Sequence, residues 1–164
     1  LTELKYAISI RDDYEFMRRR LHIYYEQKTL RPTAYQRRGV KHYTPDFLIR
    51  HKATHEAWLV EIKPRAFEHQ PQLAVRQQVA ENYIRWKQHD WKYKVVFDDE
   101  IFLNEIDWGI FEDCCRLKSK SAFKIWLERQ NRLYDRSAPL FFTSQLTSRQ
   151  IAFVMFGSHL PRSG

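Results

Sequence analysis

The sequence predicts a mixed α/β fold, and three stretches carry that expectation. Asp46-Phe47-Leu48-Ile49 and Trp58-Leu59-Val60-Glu61-Ile62-Lys63 are short, apolar and separated by a polar loop, the pattern of two strands. Leu73 to His89 carries apolar residues at helical spacing, with Val75, Val79, Tyr83 and Trp86 along one side and Ala80 and Ile84 widening the stripe. Tyr93-Lys94-Val95-Val96-Phe97 is a further strand, so strand, helix and strand describe a right-handed parallel crossover within one sheet. A mixed central sheet with helices on its faces follows.

Taken in order, the chain is expected to begin with a helix from about Ile10 to Tyr24. Ser9 is placed to cap it, and Tyr14, Met17, Leu21 and Tyr24 form its stripe. Glu26 to Tyr35 reads as an extended edge strand, because Pro32 cannot serve a central ladder. Gln36-Arg37-Arg38-Gly39 is a turn, with Gly39 free to take positive φ, and Val40 to Tyr43 returns as the second arm of a hairpin. Pro64 ends the Trp58 strand and a loop runs to Pro71. Beyond Asp98-Asp99-Glu100, helices are expected over Leu103 to Leu117 and Ala122 to Tyr134. Leu140-Phe141-Phe142 and Ile151 to Phe156 suit either helix or strand, with Thr147 or Ser148 as a cap. The division is a core over 1–103 and a mostly helical C-terminal extension over 104–164 packed on it.

With 164 residues, 43% hydrophobic and 15% aromatic, the chain can build one core of ordinary size, and four glycines are too few for a low-complexity segment. No apolar run approaches the roughly 18 residues of a membrane span. No secretory signal is present, and a start at Leu1 predicts further residues before it. The adjacent Cys114 and Cys115 read as free thiols, hence a reducing cytoplasm. The net charge of +8 favours an anionic partner such as DNA. Its distribution is uneven: from Phe16 to Lys52 ten Lys or Arg stand against two acids, whereas from Asp98 to Asp113 there are seven acids and no Lys or Arg. The basic block surrounds the Asp46 strand in sequence. Arg37, Arg38 and Lys41 are the expected phosphate contacts. His42, His51, His55 and His69 lack metal-ligand spacing and read as polar surface.

Alternation along Trp58–Lys63 sends Trp58, Val60 and Ile62 to one face and Leu59, Glu61 and Lys63 to the other. If the two strands pair, Asp46 lies beside Glu61 at one edge of the sheet. A hard cation such as magnesium is held by one or two carboxylates, with waters and substrate oxygens completing its shell. Asp46 and Glu61 supply such carboxylates, and Lys63 on the same face can orient a nucleophile or offset developing charge. Phosphodiester hydrolysis is the reaction that fits.

The wording Thr44-Pro45-Asp46-Phe47-Leu48-Ile49, followed by Leu59-Val60-Glu61-Ile62-Lys63-Pro64, resembles the core of the PD-(D/E)xK nuclease superfamily. Within it the wording is similar to the catalytic domain of TnsA-type transposon endonucleases. The resemblance spans residues 9 to about 103 and is sharp between 43 and 64. It implies a restriction-endonuclease-like fold and Mg2+-dependent DNA cleavage, with Mn2+ able to substitute, in transposition or recombination. It further implies Asp46, Glu61 and the Ile62 carbonyl as metal ligands, Lys63 as a catalytic residue, and a transposase partner subunit. The superfamily commonly adds a carboxylate from the first helix, for which Glu15 is the candidate and Asp12 the alternative. Gln77 or Gln78 on the later helix is a further, weaker candidate. A homodimer, a non-cleaving DNA-binding or assembly subunit, and a nuclease acting on RNA or branched DNA stay open. So does the C-terminal extension as DNA-binding unit, lid or docking surface.

Overall fold

The structure is a computed structural model, and it describes residues 1–121, 125, 151–152 and 155–156. The elements run α1 (Thr2–Ile10), β1 (Tyr14–Arg18), β2 (Ile23–Glu26), β3 (Val40–Tyr43), β4 (Phe47–His51), β5 (Ala57–Lys63), α2 (Pro71–Trp86), β6 (Lys92–Phe97) and α3 (Glu105–Ser119). Four strands form a mixed sheet in the order β1-β4-β5-β6. The pairs β1–β4 and β4–β5 are antiparallel, and β5–β6 is parallel across the α2 crossover. β2 and β3 form a separate two-stranded sheet.

Each face of the main sheet has its own cluster. On one face Phe16, Phe47, Ile49, Val60 and Ile62 pack with Leu4, Ala7 and Ile8 of α1, Cys114 of α3, and Ile151, Ala152 and Met155. On the other, Met17, Leu48 and Leu59 pack with Val79, Ala80 and Ile84 of α2 and with Ile23 and Tyr43 of the small sheet. The alternation along β5 therefore holds, although both of its faces are covered. Arg11 joins the end of α1 to Asp107 of α3 at 2.5 Å. Asn104 caps α3 by accepting from the Asp107 amide at 2.8 Å. Cys114 and Cys115 are both free thiols, the first buried, and burial pushes the Cys114 thiol up to about 11. No helix among the described residues is long and apolar enough to cross a membrane.

The expected helix over 10–24 is replaced by strands. Tyr14–Arg18 pairs with β4, and Ile23–Glu26 begins the hairpin. The apparent helical period arises because β1 is covered on both sides, so Phe16 and Met17 are both buried and the alternation that marks a strand is erased. The helix lies one element earlier, in Thr2–Ile10, and Ser9 sits inside it with its hydroxyl donating to the Tyr6 carbonyl at 2.7 Å. The expected edge strand over 26–35 does not form: the strand lies earlier, at Ile23–Glu26, and shares only Glu26 with it, while Pro32 makes an isolated bridge to Tyr25. Gly39 takes φ of +82° as the turn requires. On α2, Val75 and Trp86 are exposed rather than part of the buried stripe, which Leu73, Val79, Ala80 and Ile84 form. The α3 helix starts at Glu105 rather than Leu103. The expected helix over 122–134, the Leu140–Phe142 segment and the Thr147 or Ser148 cap lie outside the described residues. Ile151, Ala152, Met155 and Phe156 are helical.

Candidate metal and phosphate site

The site is built where β4 begins and β5 ends. Pro45 has no N–H and cannot extend β4, so the Ile62 amide of β5 lies past the last ladder pair on that side. The Asp46 side chain takes its place, accepting from Ile62 N at 2.8 Å, and this bond fixes the carboxylate at the strand edge. The Asp46 carbonyl accepts from Arg19 N at 3.0 Å. Arg19 carries a left-handed φ of 49°, which ends β1 and turns the chain at the site.

Glu61 is almost sealed from solvent, and each of its oxygens is engaged. The Tyr43 hydroxyl donates to Oε2 at 2.8 Å. Oε1 accepts from the Arg76 guanidinium of α2 and faces Lys63 Nζ at 3.1 Å. Tyr43 and Tyr93 hydroxyls are 3.3 Å apart. Burial raises the Tyr43 phenol far above its ordinary range, with Tyr93 and Glu61 adding to it, and burial pushes Tyr93 up to about 12. Both phenols are therefore fixed as neutral O–H groups.

Asp46 is pushed up to about 6, first by burial and then by the charge of Glu61, against the lowering effect of the Ile62 amide. Its Oδ1 has Arg19 Nε at 3.7 Å, beyond hydrogen-bonding range. Asp46, Glu61 and Lys63 line one open cleft of about 350 Å³ with Arg19, His42, Tyr43, Gln72 and Arg76. Arg19 and Lys63 also line a second cleft of about 530 Å³ with Glu3, Arg18, Pro64 and Lys118. Glu3, on α1, accepts from Arg19 at 2.6 Å and from Arg18 at 2.7 Å.

The site residues expected from sequence separate into two groups. Asp46, Glu61, Ile62 and Lys63 come together. Glu15 does not join them: it stands on β1 rather than on a helix, buried opposite Arg50, whose Nη2 donates to it at 2.6 Å. It is three residues along the strand from Arg18, opposite Phe47 beside the site, about 10 Å at roughly 3.3 Å per residue. Asp12 is exposed in the turn after α1, with Arg11 Nε at 3.8 Å. The first-helix carboxylate that does approach the site is Glu3, whose charge acts on Asp46. Leu4, Ala7 and Ile8 at helical spacing marked that helix in the sequence, and Glu3 lies in its first turn. Gln77 and Gln78 point elsewhere, donating to Glu81 and Asn82. The α2 residue at the site is Arg76, with Gln72 one turn before it.

Compared with models of protein families, with curated proteins and with solved structures, this chain matches none.

Arg37 and Arg38 line a surface hollow at the hairpin tip with Lys28, and Arg37 is paired with Glu26 at 2.5 Å. Lys41 is exposed on β3, opposite Tyr25. His42, read as plain surface, borders the carboxylate cleft.

Among the described residues no group of three or more His, Cys, Asp or Glu side chains is arranged as metal ligands. The donor set that is present is nonetheless one a hard cation accepts: the two carboxylates of Asp46 and Glu61, all oxygen, on one open cleft, with Ile62 lining the neighbouring one. Magnesium characteristically keeps several waters and takes few protein ligands. The residues therefore fit such an ion, with Asp46 Oδ1 the oxygen least engaged by protein donors.

Proposed function

We propose that this chain is a metal-dependent DNA endonuclease with a restriction-endonuclease-like fold. The observation that carries the reading is that Asp46, Glu61 and Lys63 share one cleft at the edge of a mixed sheet, with basic side chains around it. An antiparallel meander ending in a parallel strand, with helices on both faces, suits that fold, and the Thr-Pro-Asp wording leads directly into β4 beside the strand that carries Glu-Ile-Lys.

Asp46 and Glu61 would hold magnesium, with the Ile62 carbonyl as a further ligand and Mn2+ as a substitute. The bound ion supplies Lewis-acid polarisation of a phosphoryl oxygen and a water of lowered pKa. Lys63 holds the attacking water in line and offsets the negative charge that builds on the phosphoryl oxygens. Water oxygen bonds to phosphorus as one P–O ester bond breaks, and the proton ends on phosphate or on the departing oxygen. Arg19, Arg18 and Lys118 draw the strand along the second cleft. Arg38, Lys41 and Lys28 add backbone contacts at the hairpin, with Arg37 already committed to Glu26. A TnsA-like role beside a transposase subunit, or a homodimer in which two copies cut two strands, belongs to this reading.

One observation favours a non-cleaving assembly subunit instead: both oxygens of Glu61 are occupied by the protein's own donors. Cleavage of supercoiled plasmid with Mg2+ or Mn2+ separates the two. Nicking by wild type, lost in Asp46→Ala and in Lys63→Ala with folding intact, supports the nuclease. Metal binding lost in Asp46→Ala without any cleavage by wild type indicates a subunit that needs its partner. Absence of both leaves the assembly reading.

A further inference from the structure

Arg76 is the site's least expected member. It reaches from α2 across the cleft to Glu61 Oε1, its guanidinium 5.6 Å from the Tyr43 ring centroid, with a quarter of its side chain exposed against 3% for Glu61. Glu3, Asp46 and Glu61 thus face Arg18, Arg19, Lys63 and Arg76, so the acids are fully offset by the protein's own cations. Two further positive charges entering such a cluster meet repulsion and must compete with the half-buried Arg76 guanidinium for the same carboxylate oxygen. A DNA phosphate changes both terms, because it adds negative charge and offers the guanidinium an alternative two-pronged partner.

We propose that Arg76 is a positioning residue that makes metal retention conditional on DNA. In the free protein it neutralises Glu61 and holds its carboxylate in place together with Tyr43. When a DNA strand lies in the cleft, Arg76 moves its pairing to a backbone phosphate and releases Glu61 Oε1. Metal and DNA then bind with positive coupling, each strengthening the other by the same factor. A nuclease built in this way carries little metal, and cuts little, until its substrate is seated. The inference rests on the endonuclease reading above.

The test is calorimetric titration of Mn2+ into wild type, Arg76→Gln, Arg76→Lys and Asp46→Asn, each alone and with a short phosphorothioate DNA duplex that resists cleavage. Wild type is expected to bind Mn2+ roughly tenfold more tightly with the duplex than without it, within the usual span of coupling between sites. Arg76→Gln is expected to bind Mn2+ roughly tenfold more tightly than wild type in the absence of DNA, and to lose most of the coupling. Arg76→Lys keeps a cation at the position and is expected to restore it. An unchanged or weaker Mn2+ affinity in Arg76→Gln, with Asp46→Asn still abolishing binding, overturns the role of Arg76 while leaving the metal site standing. Absence of Mn2+ binding by wild type with and without duplex overturns both. Equal wild-type affinity in the two conditions overturns the coupling by itself, whether or not Arg76→Gln folds.

Discussion

Tyr43→Phe removes one hydroxyl from the site and almost nothing else, so its effect measures how firmly Glu61 is held. That hydroxyl donates to Glu61 Oε2 at 2.8 Å, and the carboxylate accepting it is 3% exposed. A hydrogen bond to a charged group is worth about 1.5–3 kcal/mol, and leaving the acceptor buried without it falls in the same range. The Tyr93 hydroxyl is 3.3 Å from that of Tyr43, too long a contact to add much. Ring packing is unchanged, because phenylalanine fills the same space less one oxygen. Tyr43→Phe is therefore expected to lower the unfolding free energy by about 2 kcal/mol, or about 4–8 °C in Tm for a chain of this size. Urea unfolding followed by circular dichroism measures it, with an unchanged m-value showing that the unfolded state is the same. Repeating the substitution in a Glu61→Gln background isolates the pair, and a coupling of about 1 kcal/mol or more is expected. Equal losses in the two backgrounds would mean that Tyr43 acts through packing and does not hold Glu61, refuting the reasoning.

The pH dependence of stability should expose Asp46. Its folded pKa of about 6 lies above the ordinary carboxylate value, so its protonation stabilises the fold below about 4, and that contribution fades as pH rises through 6. In chelator, wild type is expected to lose up to about 3 kcal/mol between pH 4 and 7 relative to Asp46→Asn, and parallel urea midpoints for the two proteins would contradict the assignment. Glu15→Gln should leave Mn2+ affinity unchanged and reduce stability by about 1 kcal/mol through the loss of its Arg50 pair. Glu3→Gln should instead weaken DNA binding or cleavage, because Glu3 orders Arg18 and Arg19; electrophoretic mobility shift and plasmid nicking read the difference. At Gly39 an added Cβ meets nothing within 4 Å, so Gly39→Ala isolates the backbone term of φ +82°. Thermal unfolding should register a loss of about 1 kcal/mol from that term.

Where side-chain chemistry and local pattern agree, the sequence is enough. Proline before Asp46, alternation along β5, the α2 helix and glycine at the hairpin turn each have a local cause and appear in place, although the buried stripe of α2 runs through Leu73, Val79, Ala80 and Ile84 rather than Val75 and Trp86. The convergence of Asp46, Glu61 and Lys63 follows from the same arithmetic, since a two-residue period and antiparallel pairing bring them to one edge. The N-terminal quarter is different. Its strand is buried on both faces, so Tyr14, Met17, Leu21 and Tyr24 mimic a helix although they lie on two strands and the link between them. That reading hides Glu3 and puts Glu15 into the site, whereas the structure keeps Glu15 on β1, paired with Arg50. Local pattern alone determined the β4–β5 hairpin, the crossover helix and the pairing of Asp46 with Glu61 at one strand end. Tertiary structure alone decided which side chains from other elements meet them: the charges of Glu3 and Arg19 from the N-terminus and Arg76 from α2, and the neutral Tyr43 hydroxyl from the small sheet. The reason is that hydrophobic periodicity reports which face of an element is buried, whereas ion pairing depends on how separate elements are placed against one another.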